Sequence, residues 1–135
     1  HLHQFTLGRQ VFGVPEHEDD FWGDMEDEKK FTLSQLLTTE KAALKYEYDY
    51  GDSWEHKIVL EKILPYDPAT RVPLCIKGKR ACPPEDCGGI WGYEQLLEAY
   101  NDPTDPEHES TVEYVGKDFD AEYFNLDEIN ARLGR

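Results

Sequence analysis

Residues 44–60 place the tightest limit on what this chain can fold into. Leu44, Tyr46, Tyr48 and Tyr50 alternate with Lys45, Glu47 and Asp49. After Gly51-Asp52-Ser53 the alternation resumes, with Trp54, His56, Ile58 and Leu60 set between Glu55, Lys57, Val59 and Glu61. Successive side chains of a strand point to opposite faces, so a period of two describes half-buried strands. The stretch predicts a long antiparallel hairpin with one aromatic face.

A second hairpin is predicted at the start of the chain. Residues 2–7 and 10–14 flank Gly8-Arg9, a two-residue loop of hairpin length, and Pro15 ends the second strand. Residues 16–30 have no period and read as a solvated acidic loop, with Phe21-Trp22 as a hydrophobic clip. Their acids lack the alternating register, Gly turn and distal Glu of a calcium loop. Residues 31–37 read as a short strand running into one helical turn. Pro65, Pro68 and Pro73 mark an irregular crossing, and residues 74–76 and 80–82 read as a small ribbon turned at Gly78.

Helices come last. Tyr93, Leu96, Leu97 and Tyr100 share one helical face, in a helix that begins near Gly92 and stops at Asn101-Asp102-Pro103. Asp105 caps a second helix with Pro106 at its first position; Val112 and Val115 point inward, and Gly116 ends it. Asn125, spaced from Glu128 as in a capping box, opens a third with Leu126, Ile129 and Leu133 inward, ending at Gly134. Strands followed by helices imply an α+β fold, read as a single domain over residues 1–135 with an antiparallel sheet.

Residues 75–93 are the least regular stretch. They hold all three cysteines, the Pro83-Pro84 pair and Trp91 among several glycines, a composition that fixes an irregular path. Such a loop is either a structural corner or a site. Formal net charge is −15, from 29 acids against 14 bases, which repels nucleic-acid phosphates and anionic membranes. The charge is unevenly spread. Residues 16–28 contain eight acids and no base, whereas residues 69–84 contain Arg71, Lys77, Lys79 and Arg80 and no acid. An odd cysteine count argues against a disulfide-paired secreted scaffold, and no apolar run reaches membrane-spanning length. The expected location is the reducing cytoplasm.

Three chemistries compete for residues 75–93. Cys75, Cys82 and Cys87 with His56 have the ligand types of a zinc site, His56 sharing the presumed buried face of Trp54 and Ile58. The intervals between the cysteines are not those of a zinc knuckle, and the alternative is a core Cys75, a loop braced by Cys82 and Cys87, and a hydrogen-bonded core histidine. A cysteine nucleophile with His56 as base and Asp49, Asp52 or Asp86 as orienter has the needed residue types but no distinguishing spacing. A zinc deaminase is set aside, because Cys82-Pro-Pro-Glu-Asp-Cys87 has the wrong cysteine spacing and no His-x-Glu motif precedes it. The third chemistry is recognition: Trp54, Trp91 and Tyr93 beside Lys77, Lys79 and Arg80 combine the aromatics and cations of binding hot spots. Against it, Trp54 and Tyr93 read equally as core, and Glu85 and Asp86 as internal partners that neutralise Arg80.

Residues 48–56 (Tyr-Asp-Tyr-Gly-Asp-Ser-Trp-Glu-His) and residues 75–93, with their Cys-Pro-Pro-Glu-Asp-Cys-Gly-Gly core, resemble a plasmid- and transposon-borne family. It is the family of the third open reading frame of a root-inducing plasmid, also called the transposon passenger TnpR family. The likeness runs from His1 to the last predicted helix. It implies an α/β roll and association with mobile elements, and it brings no established chemistry. Family members usually carry one or two strands and a helix before the segment that starts here at His1. The chain is therefore expected to be truncated or naturally shorter, with residues 2–7 as an open edge strand suited to homodimerisation. The name suggests a resolvase, but serine recombination surrounds its nucleophile with arginines, and Arg9, Arg71, Arg80, Arg132 and Arg135 are scattered. The sequence reading is a non-enzymatic accessory or interaction module with an unidentified protein partner. Its alternatives are a zinc- or thiol-dependent enzyme centred on His56 and the cysteine loop, and an acidic decoy that mimics nucleic acid.

Overall fold

Both predicted hairpins form in the computed structural model, which describes residues 1–15 and 25–134. β1 (His3–Leu7) and β2 (Gln10–Gly13) pair antiparallel around Gly8-Arg9, with Leu7 opposite Gln10. β3 (Met25–Asp27) adds to β2 in parallel, a 3₁₀ turn (Glu28–Lys30) follows, and α1 (Leu33–Leu36) is a single helical turn. β4 (Ala43–Tyr48) and β5 (Trp54–Val59) make the aromatic hairpin, with Leu44 opposite Ile58, Tyr46 opposite His56 and Tyr48 opposite Trp54. The five strands form one mixed sheet in the order β3-β2-β1-β4-β5. The fold is α+β, as expected, although β3 makes the sheet mixed rather than antiparallel throughout. Most of the predicted acidic loop and its Phe21-Trp22 clip lie outside the described residues.

Two expectations fail in this part of the chain. β1 is not an edge: β2 pairs with one side and β4 with the other, joining the hairpins through Phe5 opposite Tyr46. Its backbone donors and acceptors serve both neighbours, which removes the open edge expected for homodimerisation. Residues 31–32 form no strand. Gln35 Oε1 accepts from the Thr32 N–H at 2.8 Å, half of a capping box, and this starts α1 directly.

The chain gathers into two units, His1–Leu64 and Pro65–Arg135. Among the described residues, Phe12, Leu37 and Leu44 are the buried apolar side chains of the first, and Phe31 packs edge-on against Phe12 at 4.9 Å between ring centroids. Full burial of a Phe12-sized side chain stabilises by about 1.5–3 kcal/mol. The register of β4 and β5 sets Lys45 opposite Lys57 and Glu47 opposite Glu55, two unfavourable like-charge pairs. Lys45 reaches diagonally to Glu55 at 3.0 Å and partly offsets them.

The second unit carries α2 (Gly89–Asn101), α3 (His108–Val115) and α4 (Leu126–Leu133). α2 begins three residues earlier than predicted. A Cβ at Gly92 would lie 2.1 Å from the Cys87 carbonyl oxygen, so Gly92 is where the loop folds back on the first helical turn rather than where the helix starts. α3 begins later than predicted. Asp105 Oδ1 accepts from the Glu107 N–H at 2.8 Å, closing a separate turn before the helix. Asn125 caps α4 as expected, accepting from the Glu128 N–H at 3.1 Å. Glu128 does not complete the box, because its carboxylate accepts from the Tyr123 hydroxyl instead. The inward face of α4 also differs from the prediction. Ile129 and Asn130 are half-buried, whereas Leu126 and Leu133 are exposed.

Candidate functional site

The predicted ribbon at residues 74–76 and 80–82 does not form, and no helix or strand occupies residues 60–88. The reason lies in the hydrogen bonding. The Cys75 N–H donates to Asn130 Oδ1 at 2.7 Å, and Asn130 Nδ2 donates to the Cys75 carbonyl at 3.0 Å. One amide side chain thus satisfies both backbone groups of Cys75, which a ribbon partner would otherwise have done. The Ala81 N–H donates to the Ala121 carbonyl at 3.0 Å. Arg71 donates to the Gly134 carbonyl at 2.5 Å, and Arg80 Nε lies 3.4 Å from a Glu122 carboxylate oxygen. A Cβ at Gly78 would lie 2.7 Å from the Phe124 ring, so Gly78 marks a close approach rather than a turn. Residues 71–81 are therefore a strap running antiparallel to residues 121–134.

The strap and its surroundings position several of the predicted site residues. Cys75 is its pinned point, half-buried, with its thiol directed at the Lys77 carbonyl at 3.4 Å. Cys82 is exposed and Cys87 half-buried. Among the described residues the three sulfurs are not gathered within the 4.8 Å that a shared ion would need. Burial raises the pKa of the Tyr93 phenol above the ordinary tyrosine value, and the electrostatic influence of Cys87, Glu122 and Cys82 adds to the rise. Arg80 is paired with Glu122, a partner that the sequence reading did not name. Glu85 accepts the Tyr114 hydroxyl through its backbone carbonyl. Lys77 and Lys79 are exposed, and Trp91 stands 78% exposed on the first turn of α2.

The remaining predicted residues belong to the first unit. Asp49 is buried and builds the β4–β5 turn. It adopts φ +61°, its Oδ1 accepts from the Gly51 N–H at 3.1 Å, and its carbonyl accepts from Ser53 at 2.6 Å. Asp52 and Trp54 are half-buried. His56 is exposed rather than buried; its Nδ1 lies 3.2 Å from the Tyr46 carbonyl and its ring tilts over Tyr46 at 5.2 Å. A polar cluster that the sequence reading missed lies on the same sheet. His3 Nε2 bonds both Glu28 oxygens, at 2.9 and 2.8 Å. Burial, and secondarily Glu28, raises the pKa of Tyr46. Asn130 was missed too; its signal was a polar residue beside Ile129 in a short helix.

An open cleft of about 560 Å³ between α2 and α3 is lined by Leu96, Ala99, Glu98, Glu107, Thr111 and Tyr114 among others. None of the predicted site residues lines it. Among the described residues, no helix is long and apolar enough to cross a membrane.

Comparison with known proteins agrees with the resemblance. An uncharacterized protein of Sinorhizobium fredii, y4hQ, is 37% identical over 133 residues, covering 96% of this chain and 66% of its own length. The chain therefore spans just under two thirds of that curated relative. A protein of unknown function from Methanosarcina mazei, MM3350, has a crystal structure that is similar with a TM-score of 0.81 at 40% identity. That match covers 95% of this chain and 72% of the other. The model of the plasmid pRiA4b ORF-3-like proteins matches residues 1–128, and the chain belongs to that family.

Proposed function

We propose that the chain is a non-enzymatic, protein-binding accessory module of mobile genetic elements, acting in the cytoplasm. The observation that carries this reading is Trp91. An indole 78% exposed, next to Ile90 at 59%, sits on a helical turn that packs closely at Gly92 against the Cys87 carbonyl. Rigid, exposed aromatic side chains are the usual energetic anchors of protein interfaces, and burying one releases its hydration cost at little conformational expense. The net charge of −15 supports a protein rather than a nucleic acid as the partner.

The test is a photo-crosslinking amino acid placed at Trp91 in the native host, with a control at exposed Glu109 on α3. The expected result is a discrete protein adduct from position 91 only; the same protein should co-purify with the parent chain and not with a folded Trp91→Ala variant. Adducts absent from position 91, or identical from both positions, would overturn the reading. Metal analysis with a native thiol titration addresses the zinc- or thiol-dependent alternative. Zinc with an open coordination position, or one cysteine reacting far faster than an ordinary thiol, would replace the binding reading with a catalytic one.

A further inference from the structure

We propose that the outward edge of the strap at residues 71–81 docks an extended, acidic segment of a partner protein. This deepens the binding reading above and rests on it. Of residues 61–80, Cys75 alone is withdrawn from solvent. The strap is held from behind by the Asn130 amide at Cys75, by Phe124 against Gly78 and by Ala121 at Ala81. With its inner side committed, its outer side carries Val72, Leu74 and Ile76 at 74%, 53% and 82% exposure. Lys77 and Lys79 follow directly, exposed and without an ion-pair partner among the described residues. Arg71 is engaged by the Gly134 carbonyl and Arg80 by the Glu122 carboxylate, so the uncommitted positive charge of the strap belongs to the two lysines.

Charge complementarity selects the occupant. Residues 69–84 contain no acid in a chain whose acids outnumber its bases by 29 to 14. A basic edge within an acidic molecule attracts an acidic partner locally while the remaining surface repels other polyanions. Leu74 and Ile76, two residues apart on the strap, match the side-chain repeat of an extended peptide, whose alternate residues point to one face. An acidic segment with interleaved apolar residues meets both conditions. A nucleic-acid strand would meet the lysines alone.

The experiment titrates the chain against a fluorescein-labelled ten-residue peptide alternating Glu and Leu, read by fluorescence anisotropy at low and high salt. A peptide alternating Lys and Leu and a single-stranded oligonucleotide serve as rivals. The Glu/Leu peptide is expected to bind and to weaken with salt. Lys77→Glu with Lys79→Glu should weaken it about tenfold or more by replacing attraction with repulsion. Ile76→Ser should weaken it about fivefold through lost apolar contact. These side chains are exposed, so circular dichroism should report intact folding in both variants.

No binding of the Glu/Leu peptide, equal binding by the charge-reversed variant, or preferential binding of the Lys/Leu peptide or the oligonucleotide would overturn the assignment. Loss of the strap's peptide binding with Trp91 adducts intact removes this surface and leaves the binding reading standing. Absent adducts with peptide binding intact remove the Trp91 argument instead.

Discussion

Replacing Asn130 by Ala separates two physical arguments by sign. Asn130 lies inside α4, where Ala is the better helix former by about 0.5–0.7 kcal/mol, so propensity alone makes Asn130→Ala stabilising. The geometry requires the reverse. The amide makes two hydrogen bonds to Cys75, at 2.7 and 3.0 Å, and both ends are part-buried. Two neutral hydrogen bonds at about 0.5–1.5 kcal/mol each sum to roughly 1–3 kcal/mol, and a half-buried N–H and carbonyl left unpaired push toward the upper end. Subtracting the propensity gain leaves a net loss of about 1–2 kcal/mol, or roughly 4–8 °C in Tm for a chain of this size. Urea denaturation followed by tryptophan fluorescence measures it. Cys75 should also react faster with a thiol reagent, since its pinning is released. Asn130→Asp keeps the acceptor for the Cys75 N–H but sets a carboxylate against the Cys75 carbonyl, so it should be at least as damaging as Ala. An Asn130→Ala variant as stable as the parent, with unchanged Cys75 reactivity, would refute the clamp.

Three further outcomes follow from single observations. Asp49→Asn should change stability by no more than about 0.5 kcal/mol, because the amide oxygen can still accept from Gly51 and Asn tolerates the left-handed conformation; Asp49→Ala should cost about 2 kcal/mol or more by urea denaturation, and equal effects would contradict this account of the turn. Gly78→Ala should destabilise by about 1–3 kcal/mol through its collision with Phe124, and Phe124→Leu should relieve part of that cost; simple additivity of the two would argue against the close contact. Tyr46 should ionise above the ordinary tyrosine value in an ultraviolet titration, and Glu28→Gln should lower it only part of the way, since burial is the larger cause. Because the folded value is raised, the stability linked to Tyr46 is complete below the unfolded value near 10 and disappears as pH rises through the folded one.

The parts of this fold that were legible in the sequence are those whose stabilising partners lie close in the chain. Alternation fixed the register of β4 against β5, because a one-residue slip would turn Tyr46 and Ile58 to the wrong face. Asn125 announced α4 because its capping partner is three residues away. β3 was hidden: Met25-Glu26-Asp27 has little strand propensity and is ordered as a strand by the available edge of β2. β1 read as an edge because nothing in residues 2–7 announces pairing with β4, about forty residues later.

The site follows the same rule. The sequence reading correctly picked residues 75–93 as unusual but could not orient them, because their supports come from residues 114–130. Asn130 replaces the ribbon partner of Cys75, and Tyr114 takes the Glu85 carbonyl. Phe124 occupies the space that would let Gly78 act as an ordinary turn residue. Each of these contacts draws backbone of residues 75–85 inward. A chain held by its backbone leaves its large side chains free to face solvent, which accounts for the exposure of Val72, Leu74 and Ile76. The exposed apolar row and the absence of the predicted ribbon therefore have one cause, the replacement of strand pairing by a side-chain clamp.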